Sequence, residues 1–134
     1  MLSSFLTAVP AFFAYFGVAV VLVAVFLLIY VNVTPYQEIT LIRAGNTAAA
    51  ISLSGALFGF VMPVANAIAH SGTVADLAAW GAVAGVVQIF AYLVARYTFP
   101  QMNSDIPAGK VAPALFLAVL SLSVGLLNAA CMSY

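Results

Sequence analysis

Six side chains carry a formal charge, three acidic and three basic, and any chemistry must start from them and from a few polar groups. Glu38, Arg43, Arg96, Asp105 and Lys110 fall in or beside two polar breaks of an otherwise apolar chain, while His70, Asp76 and Cys131 stand apart. Acyl or phosphoryl transfer needs a nucleophile beside a base, and a zinc site needs three or four converging ligands. One histidine and one cysteine supply neither, and a lone cysteine closes no internal disulfide. Gly45-Asn46-Thr47 is too short for a phosphate-binding loop. No enzyme, cofactor or metal is expected. His70 could switch charge near neutral pH, but a histidine at a helix end by the interface is the simpler account.

The remaining candidates are polar groups inside apolar runs: Ser52, Asn66, Gln88, Ser121 and Asn128, together with Pro63. Channels and transporters place such groups at mid-membrane, often beside broken helices. A proton, ion or small-solute path is therefore one reading. The other is helix-packing glue, each bond contributing roughly 0.6 to 2 kcal/mol. No acidic or basic residue lies at mid-span, which argues against a carboxylate-driven pump. Pro63 removes a backbone donor and should bend its helix.

The elements that must position these residues follow from composition. The chain is 66% hydrophobic and 4% charged, where a soluble domain carries about 25% charged residues. Six charges cannot cover a watery surface, so the bilayer is the solvent and the first partner. Zero net charge and no basic stripe exclude nucleic acid. A bilayer core of about 30 Å needs about 20 helical residues. Four segments meet that: Val9 to Val31, Thr47 to Ala69, Leu77 to Ala95 and Val111 to Met132. The first lacks a basic leader and is read as a retained span. It is nearly free of polar atoms and reads as the lipid-facing helix. The fold class is all-α and integral to the membrane.

Arg43, Arg96 and Lys110 all belong to the loops joining spans one to two and three to four. The positive-inside rule puts both loops in the cytoplasm and both termini outside. Asp76 suits the first turn of the third span, and Trp80 reads as an interface anchor. Glu38 is expected to pair with Arg43 across its loop, or with Arg96 or Lys110. The alternative for Glu38 is a solvated charge of little weight. Asn46 is placed as a helix N-cap. Gly55 with Gly59, and Gly81 with Gly85, make two small-xxx-small faces, through which a homo-oligomer is expected.

The chain also looks duplicated. An offset of 64 residues lays Gly45-Asn46-Thr47-Ala48-Ala49-Ala50 on Gly109-Lys110-Val111-Ala112-Pro113-Ala114. The expected organisation is two parallel-related two-helix repeats, residues 1–70 with a cytoplasmic elbow at 32–46, and 71–134 with an elbow at 97–110.

Several stretches together resemble one family: Thr34-Pro35, Glu38, Leu41-Ile42, the Gly-Asn-Thr-Ala-Ala run, Pro63, Trp80-Gly81, and the closing Gly125 to Met132. It is the YjfL-type bacterial inner-membrane proteins, catalogued as domain of unknown function 350. The resemblance implies a bacterial inner (plasma) membrane and a duplicated two-helix domain, and it implies no established activity. Lys110 and Pro113 depart from the pattern of relatives in the second repeat. Two functions stay open: an oligomeric channel or transporter subunit for protons, ions or small solutes, and a non-transporting membrane scaffold or accessory subunit in an envelope-stress or membrane-partner complex.

Overall fold

The computed structural model describes residues 1–132; the last two residues of the second expected repeat lie outside them. Its elements are α1 (Leu2–Val33), α2 (Glu38–Arg43), α3 (Thr47–His70), α4 (Val74–Thr98), α5 (Met102–Asp105) and α6 (Val111–Cys131). Among the described residues there is no strand, and α1, α3, α4 and α6 are each long and apolar enough to cross a membrane. The four expected spans are these four helices. The two short elbow helices, α2 and α5, were not foreseen.

The boundaries follow local chemistry. Nothing in Leu2 to Ala8 breaks a helix, so α1 extends to 32 residues, about 48 Å at 1.5 Å per residue. It ends where Pro35 forces Thr34 into extended backbone, φ −68° and ψ 142°. The third span begins early because Thr73 caps it, its hydroxyl accepting from the Asp76 N–H at 3.1 Å.

Both elbows close with the same turn. Gly45 N–H donates to Ile42 O at 3.0 Å and Asn46 N–H to Leu41 O at 2.9 Å. At an offset of 64 residues, Gly109 N–H donates to Ile106 O at 2.9 Å and Lys110 N–H to Asp105 O at 3.0 Å. This is the Schellman pattern, which needs a left-handed residue. Gly45 and Gly109 supply it, with φ of 88° and 85°.

The bundle is built on α3. Its widest contact is with α6, then with α4; α1 packs chiefly on α4. The α3–α6 seam is a close backbone approach. A Cβ at Gly55 would overlap Ala118, and one at Gly125 would overlap the Gly59 backbone. Pro63 has a part in this. It is buried inside a continuous helix and offers no N–H to the Gly59 carbonyl four residues earlier. Gly125 packs on that freed carbonyl, where a Cα–H contact is available.

The two GxxxG faces are therefore occupied within one chain. Gly81 receives the Leu22 side chain, Gly85 faces Phe60, and Gly55 and Gly59 face α6. Within the chain these small residues admit close helix contacts, most tightly along the α3–α6 seam.

Candidate functional site

The first elbow folds back into the bundle. Between α1 and α2 a four-residue linker, 34–37, has extended backbone at Thr34 and Gln37, and burial alternates along it. Thr34, Tyr36 and Glu38 are buried, while Pro35 and Gln37 are exposed. Glu38 is 0% exposed. Its Oε1 accepts from the Thr34 hydroxyl. The expected ion pair with Arg43, Arg96 or Lys110 is not formed. Lys110 instead pairs with Asp105 at 3.4 Å, and Arg43 is exposed. Pro35 ends α1, and the alternating linker carries Glu38 into the bundle while Arg43 stays at the surface.

Three tyrosines surround this carboxyl. Tyr30 comes from α1, Tyr36 from the linker and Tyr92 from α4, and the rings of Tyr30 and Tyr92 meet edge-on at 5.4 Å. All three are buried. Tyr30 and Tyr92 are near enough to feel the Glu38 charge. Ser52 on α3 lies beside the Tyr36 hydroxyl and donates its own proton to Ala49 O at 3.1 Å. Burial pushes the Glu38 carboxyl up from 4.5 to about 7, partly opposed by the Thr34 hydrogen bond. Burial, then the neighbouring Tyr92 and Glu38, push the Tyr36 phenol well above its usual value. A carboxyl so enclosed can hold a proton. Among the described residues no cluster of His, Cys, Asp or Glu could hold a metal ion.

Asn46 joins the elbows. Its Oδ1 accepts from the Ala49 N–H at 3.0 Å, the expected N-cap. Its Nδ2 donates to Ile106 O and Pro107 O, each at 3.1 Å. Arg96 is half-buried on α4, and its charge acts on Tyr92.

Deeper in the membrane, the polar candidates turn to backbone. Gln88 Nε2 donates to Ser121 O at 3.0 Å across α4 and α6. Asn66 Nδ2 donates to Ala129 O at 2.8 Å across α3 and α6. Ser121 is buried beside Gly59, and Asn128 is half-buried on the same face of α6, its amide nitrogen enclosed. His70 Nδ1 lies 2.9 Å from Asn66 O at the exposed end of α3. Glu38, Ser52 and Arg96 thus gather at the elbow, Gln88, Ser121 and Pro63 at mid-bundle, and Asn66 and Asn128 at the far end. The tyrosines were missed as a group, because three positions 30, 36 and 92 show no local spacing.

Residues 4–132 match the family described as Domain of Unknown Function (DUF350). The chain belongs to this family. A DUF350 relative in Escherichia coli (strain K12), the UPF0719 inner membrane protein YjfL, is 36% identical over 129 residues, 96% of this chain and 98% of that protein. A second, the UPF0719 transmembrane protein YshE of Bacillus subtilis (strain 168), is 26% identical over 113 residues, 84% of each. No solved structure matches this DUF350 chain.

Proposed function

We propose that this DUF350 protein is a non-catalytic, non-conducting subunit of the bacterial inner membrane that works by association, with a second copy of itself as its first partner. The observation that carries the reading is the Gln88–Ser121 bond at 3.0 Å. A conducting path needs polar side chains turned to a lumen or a water-filled cavity. Here the mid-bundle amide turns to a neighbouring backbone, beside a glycine seam with no room for a methyl group. That arrangement favours packing glue over permeation. The names of the Escherichia coli and Bacillus subtilis relatives, an inner membrane protein and a transmembrane protein, support the membrane assignment.

Both elbows lie at one end of the bundle, joined by Asn46, and Arg43, Arg96 and Lys110 lie at that end. This supports cytoplasmic elbows with both termini outside. Native mass spectrometry of complexes extracted from bacterial membranes tests the association. The expected result is a defined homo-oligomer, alone or with a stoichiometric membrane protein. A bare monomer at membrane concentration would overturn it.

A further inference from the structure

We propose that Glu38, closed in by Tyr30, Tyr36 and Tyr92, is a buried proton-binding site at the elbow end of the bundle. This goes beyond the association reading and stands without it.

The first support is the missing counter-charge. The groups facing Glu38 can be named element by element. α1 presents Tyr30, the linker Thr34 and Tyr36, and α4 Tyr92 with Arg96 one turn beyond, while Ser52 on α3 faces Tyr36. On α2 itself Arg43 is exposed, and no ion pair to Glu38 is formed. A fully buried carboxylate is strongly disfavoured unless a cation or several donors satisfy it. Carboxylates that stay ionised when buried accept two or three N–H bonds. Glu38 has one hydroxyl donor, on Oε1. A proton removes the charge.

The second support is the set of groups left over. Glu38 Oε2 and the hydroxyls of Tyr30 and Tyr92 are buried and unpaired in the structure. A protonated Oε2 has a hydrogen to donate, and a phenol oxygen accepts one. No donor reaches Oε2 among the described residues, so nothing there offsets a negative charge, and a proton on the carboxyl removes it.

The third support comes from the second elbow. Its turn repeats the bonding of the first at an offset of 64 residues, and the residue at the place of Glu38 is Met102, 2% exposed. A buried thioether serves that position there. The elbow fold itself therefore does not require a carboxyl, so the acid is an addition to the first elbow. Its burial carries the carboxyl toward neutrality, in agreement with this placement.

Infrared titration of the protein in nanodiscs tests the site. The chain has three acidic side chains, so an Asp76→Asn, Asp105→Asn double variant leaves Glu38 as the sole side-chain carboxyl. The protonated-carboxyl band is expected to persist at pH 6, to vanish with a midpoint near 7, and to be absent when Glu38→Gln is added. A midpoint in the ordinary carboxylate range would overturn the site. So would a band that survives Glu38→Gln. A band lost at pH 6 in sodium but present in choline would show a metal cation as the ligand instead, and would equally overturn it. Should the Gln variant fail to fold, the midpoint in the double variant still decides.

Discussion

Thr34 and Glu38 bond side chain to side chain across Pro35, at the point where α1 ends and the chain turns back into the bundle. The proline stops the helix, the short linker buries both residues, and the hydroxyl meets the carboxyl. Thr34→Val keeps the shape and leaves the carboxyl oxygen without its donor, a loss of about 1 to 3 kcal/mol. Thermal unfolding in detergent should show it. Since the Thr34 bond favours the ionised form, the Glu38 midpoint should also rise in this variant.

Stability should fall as pH rises from about 4.5 to about 7. The folded protein holds the Glu38 proton more tightly than the unfolded chain does, at about 7 against 4.5. The contribution is complete below 4.5, declines as pH rises to about 7, and is absent above. Its size is on the order of 3 kcal/mol. Glu38→Gln should flatten this slope and melt higher than the parent at pH 8. A parent that gains stability over the same range would contradict the assignment.

The glycines should rank by what they face. Gly125→Ala meets the Gly59 backbone, which cannot move aside, and should cost more than the roughly 1 to 3 kcal/mol typical of overpacking. Gly81→Ala meets the Leu22 side chain, methyls first, which can rotate. Gly85→Ala meets Phe60 at 3.6 Å, an ordinary contact, and should be tolerated. Melting temperatures of the three variants give the order directly.

Much of this architecture is legible in the sequence. Hydropathy and length place four spans, and Asn46 reads correctly as a cap. The GxxxG faces are legible as close-packing surfaces, but sequence does not say which helix fills them, and Leu22, Phe60 and α6 fill them from within. Glu38 is the instructive miss. A charge in a polar break reads as solvated or paired by default. The signal against that default is local: Pro35 fixes extended backbone at Thr34, and Thr34, Tyr36 and Glu38 fall at alternate positions that are all buried. What no local pattern reveals is that Tyr92 waits on the other side, since that depends on how α1 packs against α4.

Asn46 does two jobs that substitutions can separate. Asn46→Ser keeps an N-cap acceptor but cannot reach the Ile106 and Pro107 carbonyls. Asn46→Ala loses both functions. The gap between the two variants should be about 1 kcal/mol, the worth of the cap. The gap between Asn46→Ser and the parent reports the tie between elbows. Thermal unfolding of all three proteins measures both gaps, and equal melting of Asn46→Ser and the parent would show that the tie contributes nothing.

The most direct test of a closed, non-conducting bundle is flux. Purified protein in liposomes, with a pH-sensitive dye inside and a gradient of either polarity, should pass protons and sodium no faster than empty vesicles. Gln88→Leu should leave that baseline unchanged, because Gln88 is bonded to the Ser121 carbonyl. Flux well above empty vesicles that falls in Gln88→Leu would contradict the account.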